Sequence, residues 1–221
     1  MKSLVLYSTI VGGFFAKTDA LAAAIEAARR RVGDDIWKRG YSGSDPAGAT
    51  VAANWELKEA GISALEFEGE LIHVGFVENQ DNSGNIYPKL RVGVKKQNNE
   101  FLLSLDLKGD VAQRLVVKLD NCEFGDYVRI SAWPTFVERG GRKYVNHAAS
   151  IKGGDGQEVP ANSSFSATVK SQTEAVAATL MSAGISDKKV IATAKTTKRI
   201  DAHKELLWKI QARFAEAKAT A

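Results

Sequence analysis

Residues 125–152 read GDYVRISAWPTFVERGGRKYVNHAASIK. Two strand-like runs flank ERGGR (138–142), whose glycines supply the turn of a hairpin. In the first run Val128, Ile130 and Ala132 alternate with Tyr127, Arg129, Ser131 and Trp133. Successive strand residues point to opposite faces. One face is therefore apolar, and the other carries two aromatic rings and a cation. Pro134 interrupts the pattern and can reset the register before Phe136.

Upstream, EGELIHVGFVEN (68–79), YPKLRVGVKK (87–96) and EFLLSLDLK (100–108) are also strand-like, broken by the turn residues DNSGN (81–85) and QNN (97–99). Val111, Leu115 and Leu119 then recur four apart, as one face of a short helix requires. Three strands, a helix and two strands is the linear order of the five-stranded OB barrel. The expected architecture is mainly β with α arms (α+β), with a barrel over residues 64–152.

An N-terminal arm over residues 1–63 is expected to hold a strand at Leu4–Ile10 and a helix from Thr18 or Asp19 to Arg31. The irregular loop WKRGYSGSDPAGAT (37–50) and a short helix near Asn54–Ala60 complete it. A polar linker over 153–164 leads to helices at Gln172–Ala183, Asp187–Ala194 and Ile200–Ala217 within residues 165–221. In the last of these, His203, Leu207, Ile210 and Phe214 repeat at helical spacing, which implies a buried face.

The barrel pattern sorts the charges. Leu90, Val92 and Val94 point inward, and Lys89, Arg91 and Lys95 point outward with Gly93 between them. A phosphate backbone could approach closely there. The outer surface around the second and third strands, with the adjoining loops, is where this fold holds oligonucleotides. The candidate nucleic-acid-binding residues are Tyr87, Lys89, Arg91, Lys95, Tyr127, Arg129, Trp133, Phe136, Arg139, Arg142, Lys143 and Tyr144. The loop residues Trp37, Arg39 and Tyr41 join them as an arm that could close over a strand. Exposed rings are natural stacking platforms for bases, at roughly 1–3 kcal/mol per base.

The formal charge of +4 over 221 residues permits an anionic partner without demanding one. Cys122 is the sole cysteine, so no intramolecular disulfide can form, which suits a reducing cytoplasm. His73, His147, His203 and Cys122 match no zinc spacing, and no metal or cofactor is expected. MKSLVLYSTIVGGFFAK (1–17) lacks the pattern of a signal peptide, and no run reaches the ~20 apolar residues of a membrane span. No G-x-S-x-G, H-E-x-x-H or phosphate-loop lysine appears, and LVLYSTIVGG (4–13) is not followed by strand–helix units. Glu66, Glu68 and Glu70 share a strand face, more consistent with a solvent edge than with a nuclease metal site. No enzyme activity is expected.

Through GDYVRISAWPTFVERGGRKYVN and the strand order of residues 66–152, the chain resembles OB-fold single-stranded DNA-binding proteins, especially divergent bacteriophage members. That resemblance implies non-sequence-specific coating of single strands in replication, recombination or repair, in the cytoplasm of the producing or host cell. Many such proteins end in an acidic tail that recruits replication proteins, whereas this chain ends RFAEAKATA. Any recruitment of replication or recombination proteins, or homo-oligomerisation, would fall to the C-terminal helices. RNA binding and a protein–protein assembly role remain open at this point.

Overall fold

The computed structural model describes residues 2–220; the side chains of Lys2, Arg139, Arg142 and Lys143 lie outside the described set. Seven strands build one mixed sheet: β1 (Lys2–Ser8), β2 (Gly13–Ala16), β3 (Phe67–Gln80), β4 (Ile86–Lys96), β5 (Asn99–Asp106), β6 (Tyr127–Arg139) and β7 (Arg142–Gly153). Their spatial order is β2-β1-β5-β4-β3-β6-β7. All pairings are antiparallel except β1 on β5, which runs parallel from Lys2↔Glu100 to Val5↔Leu103.

This arrangement corrects the expected architecture. The sheet is a seven-stranded half-barrel, not a five-stranded OB barrel, although the α+β class holds. The physical reason lies at β5. A five-stranded barrel needs that strand's outer edge for closure, but β1 occupies it and carries β2 beyond it. The two ends of the curled sheet approach each other through side chains. Tyr7 on β1 hydrogen-bonds His147 on β7 at 2.8 Å. The β1–β2 turn at Gly12 (φ 84°) lies so close to β6 that a Cβ there would stand 2.5 Å from the Pro134 Cδ. Only glycine suits that combination of positive φ and contact.

Three helices follow the first hairpin: α1 (Asp19–Val32), α2 (Asp34–Trp37) and α3 (Ala49–Glu59). Thr18 caps α1 by accepting the Leu21 N–H at 3.0 Å. Buried Ala28 on α1 meets Ala52 and Ala53 on α3, where small side chains let the helix axes approach. α4 (Asp110–Leu119) buries Val111, Leu115 and Leu119 as the four-residue spacing requires.

The C-terminal region forms two helices, α5 (Ser163–Ser182) and α6 (Lys188–Thr220). The two helices expected at 187–194 and 200–217 are one continuous helix, since the intervening KTTKR contains neither Gly nor Pro to stop it. α6 places Ile200, Leu206, Leu207, Ile210 and Phe214 in the same core as Leu90, Val92, Val94, Leu103 and Leu115. Arg213 fastens it further, donating to the carbonyls of Leu119, Asp120 and Cys122 at the end of α4. Among the described residues, no helix is long and apolar enough to cross a membrane.

Candidate nucleic-acid interface

β3 pairs with β6 only from Phe67↔Ile130 to Glu70↔Tyr127. Beyond Ile130, β6 keeps only β7 as a ladder partner, so its other edge is unpaired. A proline is tolerated on such an edge, and the ladder runs through Pro134↔His147 without a shift. The alternation read from the sequence therefore continues past Pro134, with no reset of register. Val128, Ile130 and Ala132 are buried, while Tyr127 and Trp133 are 46% and 43% exposed.

Tyr144 pairs with Val137, an odd-numbered neighbour of Trp133, and shares its face at 47% exposure. From Tyr127 to Val137 is ten residues, or about 33 Å of strand. Three half-exposed rings thus line one face of one hairpin. Phe136 falls on the opposite face. Its ring lies 5.7 Å from that of Tyr41, which ties the 37–50 loop to the hairpin. Trp37 packs beside Ala28, Ala52 and Ala53, and Arg39 is exposed.

The cations of β4 are divided. Lys95 aligns with Glu70 and, across β3, with Tyr127, and is exposed at the end of the aromatic row. Lys89 and Arg91 lie further along β4, opposite Asp106 and Ser104. Lys89 reaches Asp106 at 3.8 Å. The Nε of Arg91 is buried without a hydrogen-bond partner among the described residues. Tyr87 is engaged locally: its hydroxyl donates to Asp81 at 3.0 Å, and the Lys108 ammonium lies 5.6 Å from its ring. Arg139, Arg142 and Lys143 occupy the hairpin tip by backbone; their side chains lie outside the described residues.

Arg129 sits in the middle of the aromatic face, and its charge is already partnered. Its Nε donates to the buried carboxylate of Glu68 at 2.5 Å, and Lys96 donates to the same group at 2.7 Å. These two hydrogen bonds, Lys96's first, hold Glu68 down at about 2. The three glutamates therefore differ in kind: Glu68 is an ion-pair centre, Glu70 is exposed on β3, and Glu66 is exposed just before β3 begins, so the three do not share one strand face. No group of His, Cys, Asp or Glu able to hold a metal occurs among the described residues.

One contributor escaped the sequence reading. Lys152 pairs across from Arg129 on the same outer face and is exposed. The period-two alternation of RKYVNHAASIK could have found it. The exposed Trp208 on α6 is not part of this face: it meets Phe76 edge-on at 6.0 Å, and Phe76 pairs with buried Leu90 on the side of the sheet that α6 covers. Comparison with protein-family models, with curated proteins and with solved structures finds no match to this chain.

Proposed function

We propose that this protein binds single-stranded DNA, without sequence preference, along the outer face of the β6–β7 hairpin. The bases stack on Tyr127, Trp133 and Tyr144, and Lys95 and Lys152 meet the phosphates. The role is binding, and no residue is assigned to catalysis. The carrying observation is the row of three half-exposed rings on one strand pair. An aromatic ring held at a fixed spacing on a rigid ladder stacks any base, because every base has a π-face.

Titration of fluorescent oligo-dT at two salt concentrations tests the reading, with duplex DNA and RNA as competitors. Saturable binding that weakens steeply with salt is expected, since phosphate contacts release counterions. Binding of a protein partner by the same rings would lack that salt dependence. A flat salt response, or no binding, overturns the proposal.

A further inference from the structure

We propose that the tip of the α5–α6 hairpin is a docking site for an acidic, amphipathic helical segment of a partner protein. α6 first enters the core at Ile200, so residues 188–199 stand outside it, a projection of about 18 Å at helical rise. α5 ends in a turn at Gly184 (φ 83°), where the Ile185 N–H returns to the Leu180 carbonyl at 3.0 Å. Between the helix ends lies a groove of about 600 Å³, floored by Met181, Ile185, Ile191 and Ala192. Met181 is 57% exposed. An apolar concavity on a projecting tip, outside every buried cluster, suits a helix-in-groove contact.

Charge selects the occupant. Lys188 and Lys195 line the groove one on each side of Ile191 along the helix. Lys189 and Lys198 lie on the same segment. None of these four makes a salt bridge among the described residues. Of the two acids that bracket the segment, Asp187 caps α6, accepting the Lys189 N–H at 2.7 Å, and Asp201 lies six residues beyond Lys195, the last residue of the groove. A second copy of this chain would bring like charges together, which disfavours self-association. An apolar stripe flanked by carboxylates matches both the floor and the rim. This inference is independent of the strand face proposed for DNA.

The test uses the full chain and two short fluorescein-labelled helical peptides with Leu at i, i+3, i+4 and i+7. One carries Glu and the other Lys at the remaining positions. Anisotropy should show saturable binding of the Glu peptide and not of the Lys peptide. Met181→Asp should weaken the Glu peptide by about tenfold or more by placing a like charge on the groove floor. The double variant Lys188→Glu/Lys195→Glu should reverse the preference between peptides. Circular dichroism on each variant should be unchanged, as these positions lie outside the core. Absence of Glu-peptide binding, or equal binding of both peptides, overturns the proposal. So does a dimer in sedimentation that Met181→Asp abolishes, which would give the groove to a second copy. Loss of oligo-dT affinity in the double variant with no peptide binding would give the tip to nucleic acid, and also overturns it.

Discussion

Tyr7 and His147 stand 140 positions apart in sequence and are hydrogen-bonded at 2.8 Å, with their rings edge to face at 5.5 Å. The pair joins β1 to β7, the places where the curled sheet comes closest to closing. Burial pushes the Tyr7 hydroxyl up to about 12, with Tyr41 adding to the shift. Burial lowers His147, against a smaller opposing pull from Asp110. Both groups are thus held neutral, and the seam is made by a hydrogen bond between side chains where a strand ladder is missing.

Tyr7→Phe removes that bond and should cost about 1 kcal/mol in urea denaturation, the usual net value of one hydrogen bond. The pH response has a fixed sign. His147 is harder to protonate folded than unfolded, so its contribution is complete above the unfolded value near 6.5 and declines as pH falls below it. His203, also lowered by burial, acts in the same direction. Tyr7 is harder to ionise folded, so stability should fall again as pH rises from about 10 toward about 12. Denaturation midpoints across pH in wild type and His147→Gln check this; the variant should lose part of the decline below 6.5.

Glu68 restrains Arg129, and its removal should strengthen DNA binding. In Glu68→Gln the guanidinium keeps its place on the aromatic face and becomes free to meet phosphate. Affinity for oligo-dT should rise roughly twofold to fivefold, the scale of a surface ion pair. The salt slope should steepen by about 0.7 for Arg129 alone, and by up to about 1.4 with Lys96, which the same carboxylate releases. Wild-type stability should decline as pH falls from about 4.5 to about 2, because folding depresses Glu68 and protonation then favours the unfolded chain. That decline should flatten in the variant. An unchanged salt slope would place the bound strand away from Arg129.

The local structure was legible where one face of an element meets the core. Leu90, Val92 and Val94, and the Val111, Leu115 and Leu119 stripe of α4, declared themselves by period alone. The pairing of β1 with β5 did not. A parallel ladder between residues about a hundred positions apart has no turn sequence to mark it, so the strand at Leu4–Ile10 could be read but not placed. The same limit hid the split of the candidate site. Alternation puts Trp133 and Phe136 on opposite faces only if the register survives Pro134. That depends on β3 leaving β6 after Ile130, a tertiary fact.

α6 should be indispensable to the fold. Leu207 is fully buried among strand residues, so Leu207→Ala should cost about 2–5 kcal/mol. A fragment ending near Pro160 removes α5 and α6 together, with five apolar core residues and the Arg213 clasp on α4. Circular dichroism and thermal melting of that fragment should show no cooperative transition. A well-folded fragment would mean that the half-barrel closes its core without the helix.

Trp133 and Phe136 provide the sharpest comparison, since they stand three positions apart and the ladder turns them to opposite faces. Trp133 lies on the open outer face, so Trp133→Ala should leave stability nearly unchanged. It should cost roughly 1–3 kcal/mol of oligo-dT affinity and part of the fluorescence quench on binding. Tyr144→Ala should behave in the same way, because Tyr144 shares that face. Phe136 instead meets Tyr41, so Phe136→Ala should cost about 0.5–1.5 kcal/mol of stability, the range of an aromatic pair. Its effect on DNA binding, measured well below the melting temperature, should be small. The signal from Trp37, Trp55 and Trp208 is common to all three variants and cancels in comparison with wild type. The reverse pattern, with affinity lost at Phe136 and stability lost at Trp133, would move the bound strand to the face where the 37–50 loop meets the hairpin.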